Sequence, residues 1–170
     1  PGTTRDAIDT PFEIDGKRYM LIDTAGIRRK SRISEELERY SVIRALSAIR
    51  RCDLALIVID ATEEVTDQDT KIAGLIHEEG KGSILVMNKW DLIDKDTNTI
   101  NKYKTRLYQD LAFMQYTPSI FTSALTGQRL NRIIQTVDQV YENCSFRIST
   151  GVLNDCIQDA VAFNEPPTDK

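Results

Sequence analysis

Asn88-Lys89-Trp90-Asp91 follows directly on the apolar run 84–87 and puts an amide, a long cation and a carboxylate within four positions. A carboxylate at Asp91 can accept two hydrogen bonds from adjacent donors, such as the N1–H and 2-amino group of guanine. Adenine has no donor at either place, so a buried Asp91 would face it unpaired. A site built in this way discriminates by roughly 10⁴ to 10⁵. The Asn88 amide can bond the other base edge and brace neighbouring loops, and the Lys89 methylenes can lie on the base face. In isolation the four residues would also suit a polar loop that matches by chance. Their place after a buried strand in an α/β pattern favours the base-reading role.

Three further stretches are consistent with that chemistry. Asp23-Thr24-Ala25-Gly26 could hold Mg²⁺ through water at Asp23 and donate the Gly26 N–H to a terminal phosphate, although DxxG also reads as an ordinary strand-to-loop turn. Ser123-Ala124-Leu125 places a small residue where a backbone N–H could reach the guanine oxygen. This tripeptide is weak by itself and gains value from following Asn88–Asp91 by one helix and one strand. In Gly2-Thr3-Thr4-Arg5-Asp6 either threonine hydroxyl could ligate Mg²⁺ when a γ-phosphate is present, with Thr4 preferred; a polar terminus is the plain alternative. Trp90 suits packing on a neighbouring helix better than shielding a base. His77 reads as an exposed helix residue, and Asp60, Asp67 and Asp69 as loop and helix-cap residues.

Such motifs need strands that end beside one another, as in α/β domains. Residues 12–15 and 18–23 predict a hairpin turning at Asp15-Gly16. Leu37, Tyr40, Ile43, Leu46 and Ile49 predict an amphipathic helix over Glu35–Arg51. Residues 54–59 are continuously apolar, as expected of a strand buried on both faces. Thr66 and Asp69 form a capping-box pattern that opens a helix to about His77. Residues 84–87 and 119–122 predict two more strands, 101–113 a polar helix, and Leu130, Ile133, Ile134, Val137, Val140 and Tyr141 another helix. A last helical face, Val152, Leu153, Cys156, Ile157, Ala160 and Val161, ends where Pro166 and Pro167 cannot continue it. The expected architecture is a three-layer α/β domain with a mostly parallel sheet over residues 1–145, with residues 146–170 opening a second unit.

The chain has 170 residues, 41% apolar and 28% charged, with a net charge of −4. That balance disfavours a nonspecific nucleic-acid grip by the whole surface, so any RNA contact would need a local basic patch. Arg28-Arg29-Lys30-Ser31-Arg32 is one such run, and it reads equally as a solvated loop. Cys52, Cys144 and Cys156 are far apart and the sole histidine is His77, which argues against zinc. No signal peptide is evident, and the longest apolar run is too short to span a bilayer, so a cytoplasmic setting is expected.

The order of these stretches resembles the second to fifth sequence boxes of the Ras-like GTPase superfamily. PGTTRD followed by DTAG is similar to the branch that includes Era and the tRNA-modifying GTPase TrmE. YSVIRALSAIRRCDLALIVIDATEEVTDQD, VMNKWDL, FTSALTGQR and VYENCSFRISTGVLND resemble the second GTPase domain of the Der (EngA) family, in which two GTPase domains precede a KH-like domain. The resemblance implies a GTP-hydrolysing switch in assembly of the bacterial large ribosomal subunit, bound to ribosomal RNA. It implies GTP or GDP and Mg²⁺ as cofactors, leaves K⁺ open as a third, and makes the last helix the first element of the KH-like domain.

No GxxxxGKS/T phosphate loop occurs in these residues, so the strand and loop expected to precede Pro1 are missing from the pattern, leaving unpaired edges within the sheet. Ile27 stands where related enzymes often carry a water-orienting glutamine, so no general base is assigned. Hydrolysis is assigned to Thr4, the Gly26 amide, Mg²⁺ and, as an open point, K⁺. Two alternatives remain: a guanine-nucleotide-binding fragment or scaffold without catalysis, and a different Era-like RNA-associated GTPase.

Overall fold

The structure is a computed structural model that describes residues 9–22 and 35–163. Asp9–Ile14 (β1) and Lys17–Ile22 (β2) form an antiparallel hairpin. Its turn falls at Asp15-Gly16, where both residues have positive φ, 51° and 75°. That pair of left-handed residues matches the twist of the flanking strands, which is why Asp-Gly favours two-residue hairpins. Phe12 and Tyr19 face each other across the ladder with stacked rings 5.2 Å apart.

Glu35–Arg51 (α1) leads to Leu54–Asp60 (β3), Asp67–Glu78 (α2) and Gly82–Asn88 (β4). Thr99–Asp110 (α3), Ser119–Phe121 (β5), Leu130–Ser145 (α4) and Thr150–Phe163 (α5) follow. Strands β3, β4 and β5 are parallel in that order, with Asp60 level with Asn88 and Met87 level with Phe121. The capping box at α2 forms as expected: Thr66 Oγ1 accepts from the Asp69 N–H, and Thr66 N–H donates back to Asp69 Oδ2.

Two apolar layers cover the parallel sheet. On one face Ala45, Ile49, Ala73, Ile76, Leu107 and Met114 pack against Ile57, Ile59, Leu85, Met87 and Phe121. On the other, Ile133, Val137 and Val140 of α4 cover Ile84, Val86 and Ile120. The approach is close at Gly82, where an added Cβ would lie 3.0 Å from Cys144 Sγ and 3.3 Å from Val140. This is the three-layer arrangement expected of the sequence.

Two details differ. β3 is not buried on both faces: Ile57 and Ile59 are buried, but Leu56 and Val58 are 39% and 53% exposed, because α4 centres on β4 and reaches only Leu54 of β3. Among the described side chains of α1, Ala45, Ala48 and Ile49 are buried, whereas Ile43 is exposed. Steps of three residues drift round a helix, so Ile43 lies about 120° from Ile49. Among the described residues β2 and β3 do not pair, and the hairpin and the parallel sheet stand as separate sheets.

The hairpin is tied to α4 through one carboxylate. Lys17 Nζ donates to Asp138 Oδ2 at 2.6 Å and Tyr19 Oη to Asp138 Oδ1 at 2.8 Å. These two donors hold the Asp138 carboxyl below its ordinary range, and the same carboxylate raises the Lys17 ammonium. A depressed carboxyl stabilises the fold above its unfolded pKa of about 3.9 and loses that contribution as pH falls through the lower folded value. Asp138→Asn is therefore expected to melt below wild type at neutral pH, with the difference shrinking to nothing in strong acid. Thermal unfolding across a pH series checks this; a deficit that persists in acid would place the effect elsewhere.

Candidate functional site

The carboxyl ends of β3, β4 and β5 are joined by backbone bonds. Ala61 N–H donates to Asn88 O at 2.8 Å, Thr122 N–H to Met87 O at 2.8 Å, and Trp90 N–H to Thr122 O at 2.9 Å. The chain can turn sharply after β4 because Lys89 adopts the left-handed conformation, φ 60° and ψ 30°. Trp90 then enters the core, 1% exposed, with its ring edge-on to Tyr103 and Phe121 at centroid distances of 5.0 and 4.5 Å. Trp90 thus anchors the loop on α3 and β5, the packing role the sequence favours.

This anchoring brings Asn88, Lys89, Asp91, Ser123, Ala124 and Leu125 to one end of the sheet. Asn88 Oδ1 accepts from the Ala124 N–H at 3.0 Å, which orients the side-chain amide and leaves its Nδ2 to donate. Ser123 is fully buried, and its Oγ accepts from the Thr126 N–H at 3.1 Å, so its hydroxyl shapes the turn after β5. Leu125 is 87% exposed, so its side chain takes no part in the packing of the rim. Asp91 Oδ1 is buried with no hydrogen-bond partner. A buried acceptor without a donor costs about 1–3 kcal/mol, so the loop is arranged for donors that a ligand would bring. The N1–H and 2-amino group of guanine supply such a pair.

Asp60 belongs to this end of the sheet too, although the sequence suggests only a loop role for it. It is 6% exposed; its Oδ1 accepts from Thr62 N–H at 3.0 Å and Thr62 Oγ1 at 2.7 Å, and Lys89 Nζ pairs with Oδ2. Burial works to raise this carboxyl, but the bonds from Lys89 and Thr62 and the Lys89 charge outweigh it and keep the group below its usual range. The available signal in the sequence is positional: an acid closing the parallel strand next to the one that precedes Asn88.

Thr4, Asp23, Thr24, Ala25, Gly26 and Ile27, and the basic run 28–32, lie outside the described residues. Among the described residues no cluster of three or more His, Cys, Asp or Glu side chains could hold a metal ion, and no helix is long and apolar enough to cross a membrane. His77 is exposed and its Nδ1 lies 2.8 Å from Tyr116 Oη, far from Asn88–Asp91 in the sheet.

A parallel sheet between helical layers, with polar loops at its carboxyl end, defines an α/β nucleotide-site architecture of the Ras-like GTPase class. The chain belongs to the family described as 50S ribosome-binding GTPase, whose profile matches residues 1–89. It is 59% identical over 170 residues to a protein named GTPase Der from Thermoanaerobacter pseudethanolicus, covering all of this chain and 39% of that protein. A GTPase Der from Agathobacter rectalis is 56% identical over 169 residues, 99% of this chain and 38% of the relative. A crystal structure of Era in complex with MgGDPNP and nucleotides 1506–1542 of 16S ribosomal RNA is similar at 28% identity and TM-score 0.64, over 80% of this chain and 44% of that one. The chain therefore spans about two fifths of the length of its curated relatives.

Trp90 carries the loop, so removing its ring should loosen both. Trp90→Ala is expected to cost about 3–5 kcal/mol, the range for deleting a buried aromatic side chain. Denaturant unfolding followed by circular dichroism measures the loss. A cost under about 1 kcal/mol, the range of surface substitutions, would show that the ring is not an anchor.

Proposed function

We propose that the protein binds and hydrolyses GTP and acts as a nucleotide-dependent switch in assembly of the large ribosomal subunit. The observation that carries the base-binding part is the buried, unpartnered Asp91 Oδ1 at the exit of β4. In this reading Asp91 accepts from the N1–H and 2-amino group of guanine. Asn88 bonds the opposite edge and Lys89 lies along the base. The turn Ser123-Ala124-Leu125 offers a backbone N–H to the guanine oxygen; the Ser123 N–H is bonded to Gln128 O and the Ala124 N–H to Asn88 Oδ1, which leaves that of Leu125. The donor pattern rejects adenine, which would leave the carboxylate bare.

The phosphate half is assigned to residues outside the described set. Asp23, Thr24, Ala25 and Gly26 face the terminal phosphate, with the Gly26 N–H as donor. Thr4 and Asp23 would hold Mg²⁺, which when bound neutralises phosphate charge; K⁺ is an additional cofactor in this proposal. Ile27 supplies no base, so catalysis rests on positioning and charge rather than on proton abstraction by that side chain. The family description, 50S ribosome-binding GTPase, supports a ribosomal target. Ribosomal RNA contact and a cytoplasmic setting follow from that reading.

Residues 1–145 are proposed as the GTPase domain and 146–170 as the start of a KH-like domain. The exposure of α5 supports this division: Val152, Leu153 and Ile157 are 58%, 47% and 51% exposed, a face suited to packing against a further unit.

The test is displacement of a fluorescent GDP from the full-length protein by GTP, ATP and XTP in Mg²⁺ and K⁺, with wild type and Asp91→Asn. Wild type should release the probe to GTP and hold it against ATP. Asp91→Asn should lose GTP affinity and gain preference for XTP, whose 2-oxo group accepts from the new amide. Equal displacement by ATP and GTP, or a base preference unmoved by the substitution, would remove Asp91 from the proposed role.

A further inference from the structure

We propose that Asp60 is a positioning residue for the base site, holding the Lys89 side chain across the exits of β3 and β4. The inference rests on the guanine-site reading given above and adds to it a residue on the neighbouring strand. Asp60 and Asn88 are level in the parallel ladder, and the Ala61 N–H to Asn88 O bond locks the two exits together. The Asp60 side chain is 5% exposed while that of Lys89 is 53% exposed, so the pair joins a buried carboxylate to a cation at the surface of the site.

Each oxygen of Asp60 has a separate task. Oδ1 takes both Thr62 donors, which orient the carboxylate from within its own loop. Oδ2 is then turned towards Lys89. A buried carboxylate requires such compensation, and Lys89 is its only charged partner among the hydrogen bonds and ion pairs of the described residues.

Lys89 leaves the backbone from a left-handed residue, a conformation that a side chain bearing Cβ disfavours. From that starting point its long stem has many rotamers, and an unanchored stem would have to be ordered each time a base arrives. With the ammonium held at Asp60, the methylenes already run in one direction beside Asn88 and Asp91. Prior ordering of this kind lowers the entropy cost of binding and appears mainly in the rate of release.

Asp60→Asn isolates this role, because the amide oxygen still accepts from Thr62 while the charge facing Lys89 is lost. In the full-length protein the variant is expected to raise the Kd for fluorescent GDP about tenfold, mostly through faster release, as loss of one charge-assisted contact predicts. The thermal midpoint without nucleotide should stay near that of wild type. In a Lys89→Met background the same substitution should change GDP affinity little, since the group it positions is gone. Thr62→Val, which removes one orienting donor and touches neither Lys89 nor Asp91, should weaken GDP in the same direction by a smaller factor, and it tests the idea should Asp60→Asn fold poorly.

Unchanged or tighter GDP binding by Asp60→Asn overturns the proposal; tighter binding would mean that Asp60 competes with the nucleotide for Lys89. An equal loss in the Lys89→Met background overturns it as well, by placing the effect in the fold. Asp91→Asn, run alongside, separates the two levels. A base preference that it fails to move sinks the guanine-site reading, whereas a shift with Asp91→Asn and none with Asp60→Asn sinks the positioning role alone.

Discussion

Thr122 donates its N–H to Met87 O and accepts from the Trp90 N–H, so the chain leaving β5 is bonded to both sides of the β4 exit. The Ala61 bond to Asn88 O does the same between β3 and β4. Parallel strands end at one rim of the sheet, and these cross-bonds convert the rim from three loose loop starts into one rigid edge. Every polar group of the site is attached within three residues of such a bond. Asn88 then needs only one further contact, from the Ala124 N–H, to have its amide oriented.

Backbone bonds set the height of the rim, and apolar burial sets its depth. Trp90 sits between Lys89 and Asp91, and placing its ring against Tyr103 and Phe121 turns its two neighbours away from the core. A large, rigid ring with one fixed orientation does this better than an aliphatic chain, since burying it fixes both position and angle. The layer beneath is continuous, with Ile59, Leu85, Met87, Leu111 and Met114 close-packed under the site. The polar loop is therefore held by groups that never meet a ligand.

Where local chemistry alone decides the structure, the sequence is easy to read. Asp15-Gly16 allows a tight hairpin, Thr66 and Asp69 can satisfy each other's backbone groups, and residues 84–87 have no polar face to expose. Reading fails where the answer depends on a distant element. The exposure of Leu56 and Val58 follows from where α4 lies, which no pattern within residues 54–59 encodes. In α1 the expected positions Leu46 and Ile49 do face inward, but Ile43 does not, and evenly spaced large residues hide the two alanines, Ala45 and Ala48, that are buried beside Ile49. Within the candidate site, Asn88–Asp91 is legible because the groups the proposed base contact needs fall in one short stretch. The Asp60 contact is not, because its partner Lys89 follows a different strand and the pairing exists only once β3 and β4 are in register.

The departures from low-energy local structure are unevenly distributed. Of the three non-glycine residues with positive φ among the described residues, Asp15 sits in a turn that requires it and Arg129 precedes the first turn of α4. Lys89 closes β4 and precedes the short helical turn Trp90–Leu92, so its left-handed backbone turns the chain into the site loop. Of the two buried side-chain acceptors left without partners among the described residues, Ser119 Oγ is a neutral hydroxyl at the start of β5, whereas Asp91 Oδ1 belongs to a carboxylate, the costlier group to leave bare. Lys89 and Asp91 thus carry two separate costs, a disfavoured backbone and an unmet acceptor, on either side of the best-buried side chain of the loop. A fold whose total stability is about 5–15 kcal/mol tolerates such costs only where surrounding packing imposes them. Trp90 and the cross-rim bonds supply that constraint by fixing the backbone that leads into Asp91. The acceptor remains in place and unpaired, and a ligand that brings the matching donors gains binding free energy that water at the surface could not supply.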